Sequence, residues 1–258
     1  MNSFRNPKET ANEIANIGGE KSKLSLGKLM VLGFLAGAYI AFGGMLAEIV
    51  TSGLTAPIGI KRFIFGAVFS LGLILTVICG AELFTGSCLY LPMANLEGKS
   101  KVMPMIKNMI GSWIFNFIGA LFIAYVIAYL SGIMTSEPFA STAIGIANTK
   151  VANTSWLQLF IRGIGCNWLV CLAIYIAVSS KDIISKIVGI WFPVMAFVTI
   201  GFEHSVANMF FVSLGMILGS PISLNQLFMN NLIPVTLGNL IGGIIFVAII
   251  YWYAYLKE

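Results

Sequence analysis

Six long runs of apolar residues follow one another along the chain, and shorter polar stretches separate them. A helix needs about 20 apolar residues to cross the roughly 30 Å hydrocarbon core of a bilayer. The pattern therefore predicts an all-α membrane protein with six transmembrane helices, at about residues 29–50, 63–93, 109–131, 156–178, 187–218 and 232–255.

The second and fifth runs are too long for one simple span, and polar residues interrupt each of them. The second contains Gly80-Ala-Glu-Leu-Phe-Thr-Gly-Ser87, and the fifth contains Gly201-Phe-Glu-His-Ser-Val-Ala-Asn208. A charged side chain at the bilayer centre costs about 2.5–3.5 kcal/mol even on lenient insertion scales, so these groups should face protein or water. We expect both helices to break at mid-depth, where the freed backbone groups line a cavity.

Two short motifs occur once in each half of the chain, at nearly the same separation. Gly80-x-Glu82 matches Gly201-x-Glu203, and Asn116-Phe-Ile-Gly119 matches Asn239-Leu-Ile-Gly242. Each half then holds three spans with a broken middle one, and because three is odd the second half enters the membrane upside down. Paired broken segments in inverted halves point to a binding site where the halves meet.

The spans divide the chain into two parts. Residues 1–28 are polar and are predicted to be a cytoplasmic tail, whereas residues 29–258 form the transmembrane channel domain, with repeats at about 29–131 and 156–255. The tail is expected to be a mobile terminus. The alternative is a helix that lies at the membrane surface and covers a pore mouth, with an apolar stripe formed by Ala11, Ile14, Ala15 and Ile17.

Composition and charge exclude a soluble protein and set the orientation. Hydrophobic residues make up 58% of the chain, charged residues 10%, and the mean hydropathy is +0.93. No basic stripe indicates nucleic-acid binding. The positive-inside rule predicts that both termini are cytoplasmic, with the protein in the inner (plasma) membrane. Of the 15 lysines and arginines, this orientation leaves Lys61, Arg62, Lys150 and Arg162 on the outer side.

The sequence offers little catalytic or metal-binding chemistry. The chain has one histidine, and its four cysteines lie in apolar runs without CxxC spacing. We therefore predict no enzyme activity, no metal site and no cofactor. Small apolar packing is the expected role of Cys79, Cys88, Cys166 and Cys171.

The polar residues inside the breaks are the candidates for substrate contact. His204 can donate a hydrogen bond to a small anion in either protonation state, and when protonated it could pass a proton to a small carboxylate; the alternative is a structural histidine. Thr85, in the matching break, can hold the imidazole tautomer, touch the substrate, or merely satisfy freed carbonyls. Glu82 and Glu203 are expected to brace the breaks, because a carboxylate on the path would repel an anion.

Three further polar side chains are candidates for the substrate path. Asn208 can bond loop backbone or substrate, with the loop favoured, and for Asn167 both roles stay open. Lys150 lies in an expected polar loop over residues 132–155. Taken alone, a lysine there is most simply an interfacial residue; near a pore mouth it would raise the local anion concentration.

Two stretches carry a resemblance to a known family. Val77-Ile-Cys-Gly-Ala-Glu-Leu-Phe-Thr-Gly86 and Gly163-Ile-Gly-Cys-Asn-Trp-Leu-Val-Cys-Leu-Ala173 look like signature motifs of the formate/nitrite transporter family. The stretches 201–209 and 231–243 resemble further blocks, closer to its formate branch. The resemblance implies an aquaporin-like six-helix protomer that assembles as a homopentamer, with a pore in each protomer.

The resemblance also implies roles for individual residues. It places His204 at the pore centre, Thr85 on a loop that faces it, and Lys150 in the outer vestibule. Apolar slits on either side of the histidine would be formed by Phe69, Leu73, Leu83, Phe84, Val170 and Phe197. Such slits reject a hydrated ion and pass a small, weakly hydrated or protonated species.

The sequence as a whole therefore predicts a channel for small monovalent anions, formate first. Nitrite and hydrosulfide are the alternatives within the same family. An aquaporin-like channel for neutral solutes is disfavoured, because the paired Asn-Pro-Ala motifs are absent from the sequence.

Overall fold

The computed structural model describes residues 3–257, and the regular structure in that range is almost entirely helical. In chain order the helices are α1 (Pro7–Lys21), α2 (Leu26–Thr51), α3 (Ile58–Ile78), α4 (Phe84–Leu96), α5 (Val102–Leu130), α6 (Phe139–Val151), α7 (Trp156–Ser179), α8 (Ile183–Ile200), α9 (Ser205–Ile217) and α10 (Leu224–Tyr255). The end of α5 and parts of α10 are π-helical.

Within residues 3–257, six helices are long and apolar enough to cross a bilayer, namely α2, α3, α5, α7, α8 and α10. The shorter helices α4 and α9 continue the second and fifth spans beyond their breaks. The chain is thus an all-α membrane protein of two inverted three-span halves, as predicted.

The two halves repeat the same packing. In the first half α2 packs along α5 and α1 packs on α4; in the second half α7 packs along α10 and α6 packs on α9. Small residues allow the close approach of the long helices. A Cβ on Gly119 would stand 2.0 Å from the Phe34 carbonyl oxygen, and one on its counterpart Gly242 would stand 2.3 Å from that of Ile164.

Each broken span contains a glycine that takes a left-handed backbone conformation. Gly80 has φ 79° and Gly201 has φ 92°, values that side chains with a Cβ rarely adopt. The chain then runs extended for a few residues, and a new helix begins at Phe84 or at Ser205. The predicted break of the second and fifth helices is therefore confirmed, with glycine as its local cause.

Two segments predicted to lack structure are helical. The sequence around α1 meets the requirements of a helix start, because Asn6 and Glu9 form a capping box around Pro7. The stripe at Ala11, Ile14 and Ala15 is fully buried. The tail is therefore a docked helix, which agrees with the alternative rather than with a mobile terminus.

Helix α6 lies in the stretch 132–155 that was expected to be a loop. Ala143, Ala147 and Val151 are spaced by four residues and are buried, so they form one apolar stripe against α9. Ser141 and Thr142 before this stripe, and Asn148 and Thr149 within it, mask the periodicity. The packing role predicted for all four cysteines is also wrong in one case, since Cys79 is exposed whereas the other three are buried.

Candidate functional site

The two breaks bring Thr85 and His204 together in the middle of the fold. Thr85 lies in the first turn of α4, and His204 is the residue that caps the N-terminus of α9. Thr85 Oγ1 lies 2.9 Å from His204 Nε2, and both residues are buried. The two inverted halves thus each contribute one polar group to a single central pair.

The hydrogen bonds of the imidazole assign its tautomer. His204 Nδ1 accepts the backbone N–H of Ala207 at 3.1 Å, so the proton of the neutral ring lies on Nε2. Nε2 therefore donates to the hydroxyl of Thr85, which leaves the hydroxyl proton of Thr85 free to be donated elsewhere. A second proton on the ring would occupy Nδ1 and break the helix cap.

A cavity of about 300 Å³ reaches this pair from the side on which α6 lies; we call it the α6-side cavity. His204 lies in its wall, together with Asn208 and Glu203. Rings line much of the remainder, namely Phe65, Phe69, Phe197, Phe202 and Phe211.

A second cavity of about 250 Å³, which we call the α1-side cavity, lies on the side of α1. Lys21, Ser87 and Tyr90 are among its polar lining residues. The central pair therefore lies between two cavities that approach it from opposite sides of the membrane domain.

The predicted slit residues lie in four different places. The rings of Phe69 and Phe197 lie in the α6-side cavity with their centroids 6.2 Å apart. Leu73 and Leu83 lie in the α1-side cavity. Phe84 lines a separate lateral groove with residues of α5 and α10, and the buried Val170 lines neither of the two cavities in the described part of the chain.

The ring of Phe197 also touches the central pair. Its centroid lies 6.1 Å from that of the His204 imidazole, and the two planes are inclined by only 22°. The Phe69 and Phe197 rings on the α6 side and the polar pair therefore lie next to each other.

One buried asparagine braces the first break. Asn116 Oδ1 accepts the backbone N–H of Phe84 at 2.9 Å, and its Nδ2 donates to the carbonyls of Gly33 and Glu82 at 2.8 and 2.9 Å. The backbone N–H of Glu82 donates in turn to the Leu32 carbonyl. These bonds satisfy the polar backbone groups that the break frees inside the membrane domain.

The second break is braced in the same way by Asn239. Its Oδ1 accepts the backbone N–H of Ser205 at 2.9 Å, and its Nδ2 donates to the carbonyls of Gly163 and Glu203 at 2.9 and 3.0 Å. Here the N–H of Glu203 donates to the carbonyl of Arg162. The repeated Asn-x-x-Gly motif therefore holds both breaks through equivalent contacts.

Each glutamate of the breaks is paired with a lysine from a short helix that precedes a span. Glu82 Oε2 lies 2.5 Å from Lys21 Nζ in α1, and Glu203 Oε2 lies 2.7 Å from Lys150 Nζ in α6. Both carboxyl groups are almost completely buried. The short helices α1 and α6 are thus fixed to the breaks by matching ion pairs.

The two candidate asparagines make contacts within the protein. Asn167 Nδ2 donates to the carbonyl of Asn239 at 2.7 Å. Asn208 Nδ2 donates to Glu203 Oε2 and to Asn231 Oδ1, and Asn208 also lines the α6-side cavity. The Oδ1 atom of Asn208 is buried and has no hydrogen-bond partner among residues 3–257.

Several residues of the site were not predicted from the sequence. Lys61 and Arg62 line the α6-side cavity, and no ion pair engages either of them among the described residues. The ring of Phe211 stacks on Phe69 and lies 5.5 Å from Lys150 Nζ. The cationic pair is visible in the sequence as two adjacent charges before a span, but that position by itself indicates only orientation.

Comparison with known proteins adds the following. A family model described as formate/nitrite transporter matches residues 8–253. A probable formate transporter from Methanothermobacter thermautotrophicus is 53% identical, over 99% of each chain. A structure titled FNT family ion channel superposes with a TM-score of 0.88 at 32% identity and covers 95% of this chain and 98% of its own.

A second solved structure, titled pentameric formate channel with formate bound, superposes with a TM-score of 0.79 at 31% identity. The match covers 90% of this chain and 98% of the other. The proteins found are transporters and channels rather than enzymes.

Proposed function

The chain belongs to the formate/nitrite transporter family, and on that premise we propose that it carries small monovalent anions, formate first, through a pore in each protomer. The observation that carries this proposal is the pair of Thr85 and His204 between two cavities, with one hydroxyl proton left to donate. The formate transporters and channels among its relatives support the choice of anion.

The central pair suits an anion with one or two oxygen acceptors. With Nε2 of His204 donating to Thr85, the Thr85 hydroxyl turns its own proton toward the pore. A formate or nitrite oxygen can take that hydrogen bond, and a hydrogen bond to a charged partner contributes about 1.5–3 kcal/mol. Asn208 offers an acceptor nearby, which suits the protonated form of the same acid.

The apolar rings beside the pair supply the selectivity. A strongly hydrated ion loses its water between Phe69 and Phe197 without compensation, whereas a small acid that carries a proton passes without this loss. Leu73 and Leu83 act in the same way from the α1 side. Phe84 and Val170 were also predicted to form the apolar slits, and they remain candidates for this selectivity.

We further propose the assembly and the orientation. The likeness to a pentameric channel supports a homopentamer in the inner membrane. The distribution of lysine and arginine supports cytoplasmic termini, so that α1 lies on the cytoplasmic side and α6 on the outer side. The α6-side cavity, which Lys150 and Asn208 line, is then the outer vestibule, and Asn167 remains a candidate for the substrate path outside this cavity.

Flux measurements test this function directly. Purified protein in liposomes should take up formate faster than acetate, with nitrite and hydrosulfide measured in the same vesicles at an acidic and a near-neutral pH. Empty liposomes are the control, because small neutral acids leak through lipid. Formate uptake equal to that of empty vesicles at both pH values would refute the proposal.

The net positive charge of the outer vestibule comes from Lys61 and Arg62, since Lys150 is neutralised by Glu203. We expect Arg62→Gln to lower formate uptake about three- to tenfold at low ionic strength, because cationic entrances concentrate anions. The loss should shrink as salt is added, since the Debye length falls to about 10 Å at 0.1 M.

Two comparison variants make the Arg62→Gln result interpretable. Lys181→Gln removes a cation from the opposite side of the membrane domain and should leave uptake unchanged. Lys150→Met leaves Glu203 buried without its cation, so its effect should persist at high salt. A salt-independent loss in Arg62→Gln would show that the guanidinium acts through packing rather than through its charge.

A further inference from the structure

Glu48 is a carboxyl group that none of the contacts described above uses. It lies near the end of α2 and is completely buried, and neither of its carboxyl oxygens has a hydrogen-bond partner among residues 3–257. Buried polar groups are nearly always hydrogen-bonded, so this one stands out in the described part of the chain. Because an unpaired carboxylate in an apolar interior is costly, the group is expected to carry a proton in this arrangement.

Glu48 lies directly behind the wall of the α6-side cavity. Gly44, Glu48 and Thr51 follow one another at helical spacing and share a face of α2. Thr51 lines the cavity, and a Cβ on Gly44 would stand 3.1 Å from the ring of Phe211, which lines it too. The carboxyl group is therefore separated from the cavity by about one layer of side chains.

Lys150 connects Glu48 to the ion pair of the second break. Its ammonium group interacts electrostatically with Glu48, while Nζ lies 2.7 Å from Glu203 Oε2. Lys150 therefore acts on both carboxyl groups through its charge, but it forms an ion pair only with Glu203. With Glu203 ionised and paired, ionisation of Glu48 would place a second negative charge beside the same cation.

The other elements that pack on α2 bring few titratable groups to this region. Helix α3 contributes Lys61 and Arg62, which line the α6-side cavity. Helix α9 contains no charged residue. In α5, Tyr125 and Tyr129 are exposed and stacked on each other, and Lys107 lies near its opposite end.

We propose that Glu48 is a proton-binding site linked to anion occupancy of the α6-side cavity, an inference that rests on the proposed function. The proton comes from the outer solution and binds to a carboxylate oxygen of Glu48. An anion in the cavity adds negative charge nearby and so favours the protonated carboxyl over the ionised one. Linkage is reciprocal, so a proton on Glu48 favours the anion by the same factor.

The consequence is that an acidic outer solution draws anions into the pore. With Glu48 protonated, the cavity and its surroundings hold three cations, Lys61, Arg62 and Lys150, against the single carboxylate of Glu203. Ionisation of Glu48 removes part of this excess. The pH dependence of uptake then depends on Glu48 as well as on the chemistry of the substrate.

Two substitutions remove the proton site in different ways. Glu48→Gln mimics the protonated acid. Glu48→Leu also removes the unpartnered polar atoms, so it should raise the thermal midpoint and serves as the control for misfolding. In liposomes, the ratio of the initial rates of formate uptake at acidic and at alkaline outer pH should fall at least about twofold in both variants, whereas the part of the pH dependence that comes from the substrate itself should remain. Glu137→Gln, an exposed carboxyl near the start of α6, should keep the wild-type profile.

A second measurement separates this site from a structural role. Difference infrared spectra of the protein in detergent should contain a protonated-carboxyl band that both Glu48 variants lack. The band should disappear as pH rises, and formate should move that loss to higher pH, because the anion stabilises the bound proton. A structural carboxyl would give a band that formate does not move.

The outcomes distinguish the two proposals. Formate uptake by the wild type together with an unchanged pH profile in both Glu48 variants would overturn the proton site and leave the proposed function intact. A band absent from the wild type at every pH would do the same. Failure of the wild type to carry any anion of the panel would instead refute the proposed function, and the linkage with it.

Discussion

Replacing His204 with asparagine is expected to lower formate uptake while the protein stays folded. The imidazole makes two hydrogen bonds: Nδ1 accepts from the first turn of α9 and so caps this helix, and Nε2 donates to Thr85. Asparagine is a good N-cap and can keep the bond to the Ala207 N–H. It does not reach Thr85 as the ring does, so the Thr85 hydroxyl is no longer oriented to donate to the anion. The loss of that hydrogen bond, worth about 1.5–3 kcal/mol, corresponds to roughly 10- to 100-fold in rate.

Initial formate uptake into liposomes measures this effect, with the thermal midpoint as the check on folding. Thr85→Val should lower uptake by a similar factor, whereas Thr85→Ser keeps the hydroxyl and should retain most of it. The double variant of His204→Asn and Thr85→Val should be little worse than either change alone, because the two groups act as a unit. Unchanged uptake and pH profile in His204→Asn would remove the histidine from the mechanism.

A comparison with His204→Ala adds a structural readout. Alanine removes both the cap and the donor, and the loss of an N-cap side chain costs about 0.5–2 kcal/mol. The alanine variant should therefore have a lower thermal midpoint than the asparagine variant at a similar transport rate. This difference would separate the stabilising role of Nδ1 from the transport role of Nε2.

The sequence predicted the membrane architecture because hydrophobicity over about 20 residues is a strong signal. Gly80 and Gly201 could be recognised as break points, since a glycine followed by a glutamate at mid-depth is poorly compatible with a continuous membrane helix. Helix α6 was missed, and α1 was given only as the alternative to a mobile tail, because their apolar stripes are narrow and composed partly of alanine. What stabilises them is the packing of that stripe on α4 or α9, which is a tertiary effect.

The site was predictable only where a residue type is rare in a membrane. His204 and Thr85 were found because a polar group in an apolar run is costly and therefore conspicuous. The pairing of Lys150 with Glu203 and the position of Arg62 in the cavity depend on how separate elements pack. Glu48 is inconspicuous in the sequence because it lies near a predicted span end, where an exposed glutamate is ordinary.

The breaks themselves depend on the two bracing asparagines. A break frees backbone N–H and C=O groups inside the membrane domain, where no bulk water can satisfy them. Asn116 and Asn239 each satisfy two such groups with one side chain, and each also donates to a carbonyl of a neighbouring helix, that of Gly33 or Gly163. Without them these groups lose the partners that hold the break, so the break geometry and the Thr85–His204 pair should be lost together.

Substitution of either asparagine is therefore expected to have the largest effect on stability. Asn116→Leu leaves the Phe84 N–H and the Glu82 carbonyl unpaired at about 1–3 kcal/mol each, which is a substantial part of a typical folding free energy of about 5–15 kcal/mol. Asn239→Leu should cost as much, because its contacts are equivalent. The measurements are the thermal midpoint and the fraction of protein that elutes as a single assembled species after extraction.

The isosteric change Asn116→Asp provides a sharper version of the same test. It keeps the acceptor for the Phe84 N–H but loses both donors and turns a carboxylate toward the carbonyls of Gly33 and Glu82. It should therefore be at least as damaging as leucine, whereas Asn225→Leu, an exposed asparagine in α10, should be tolerated. A stable Asn116→Asp protein would mean that the amide donors do not hold the break, and that helix packing alone fixes the position of Thr85.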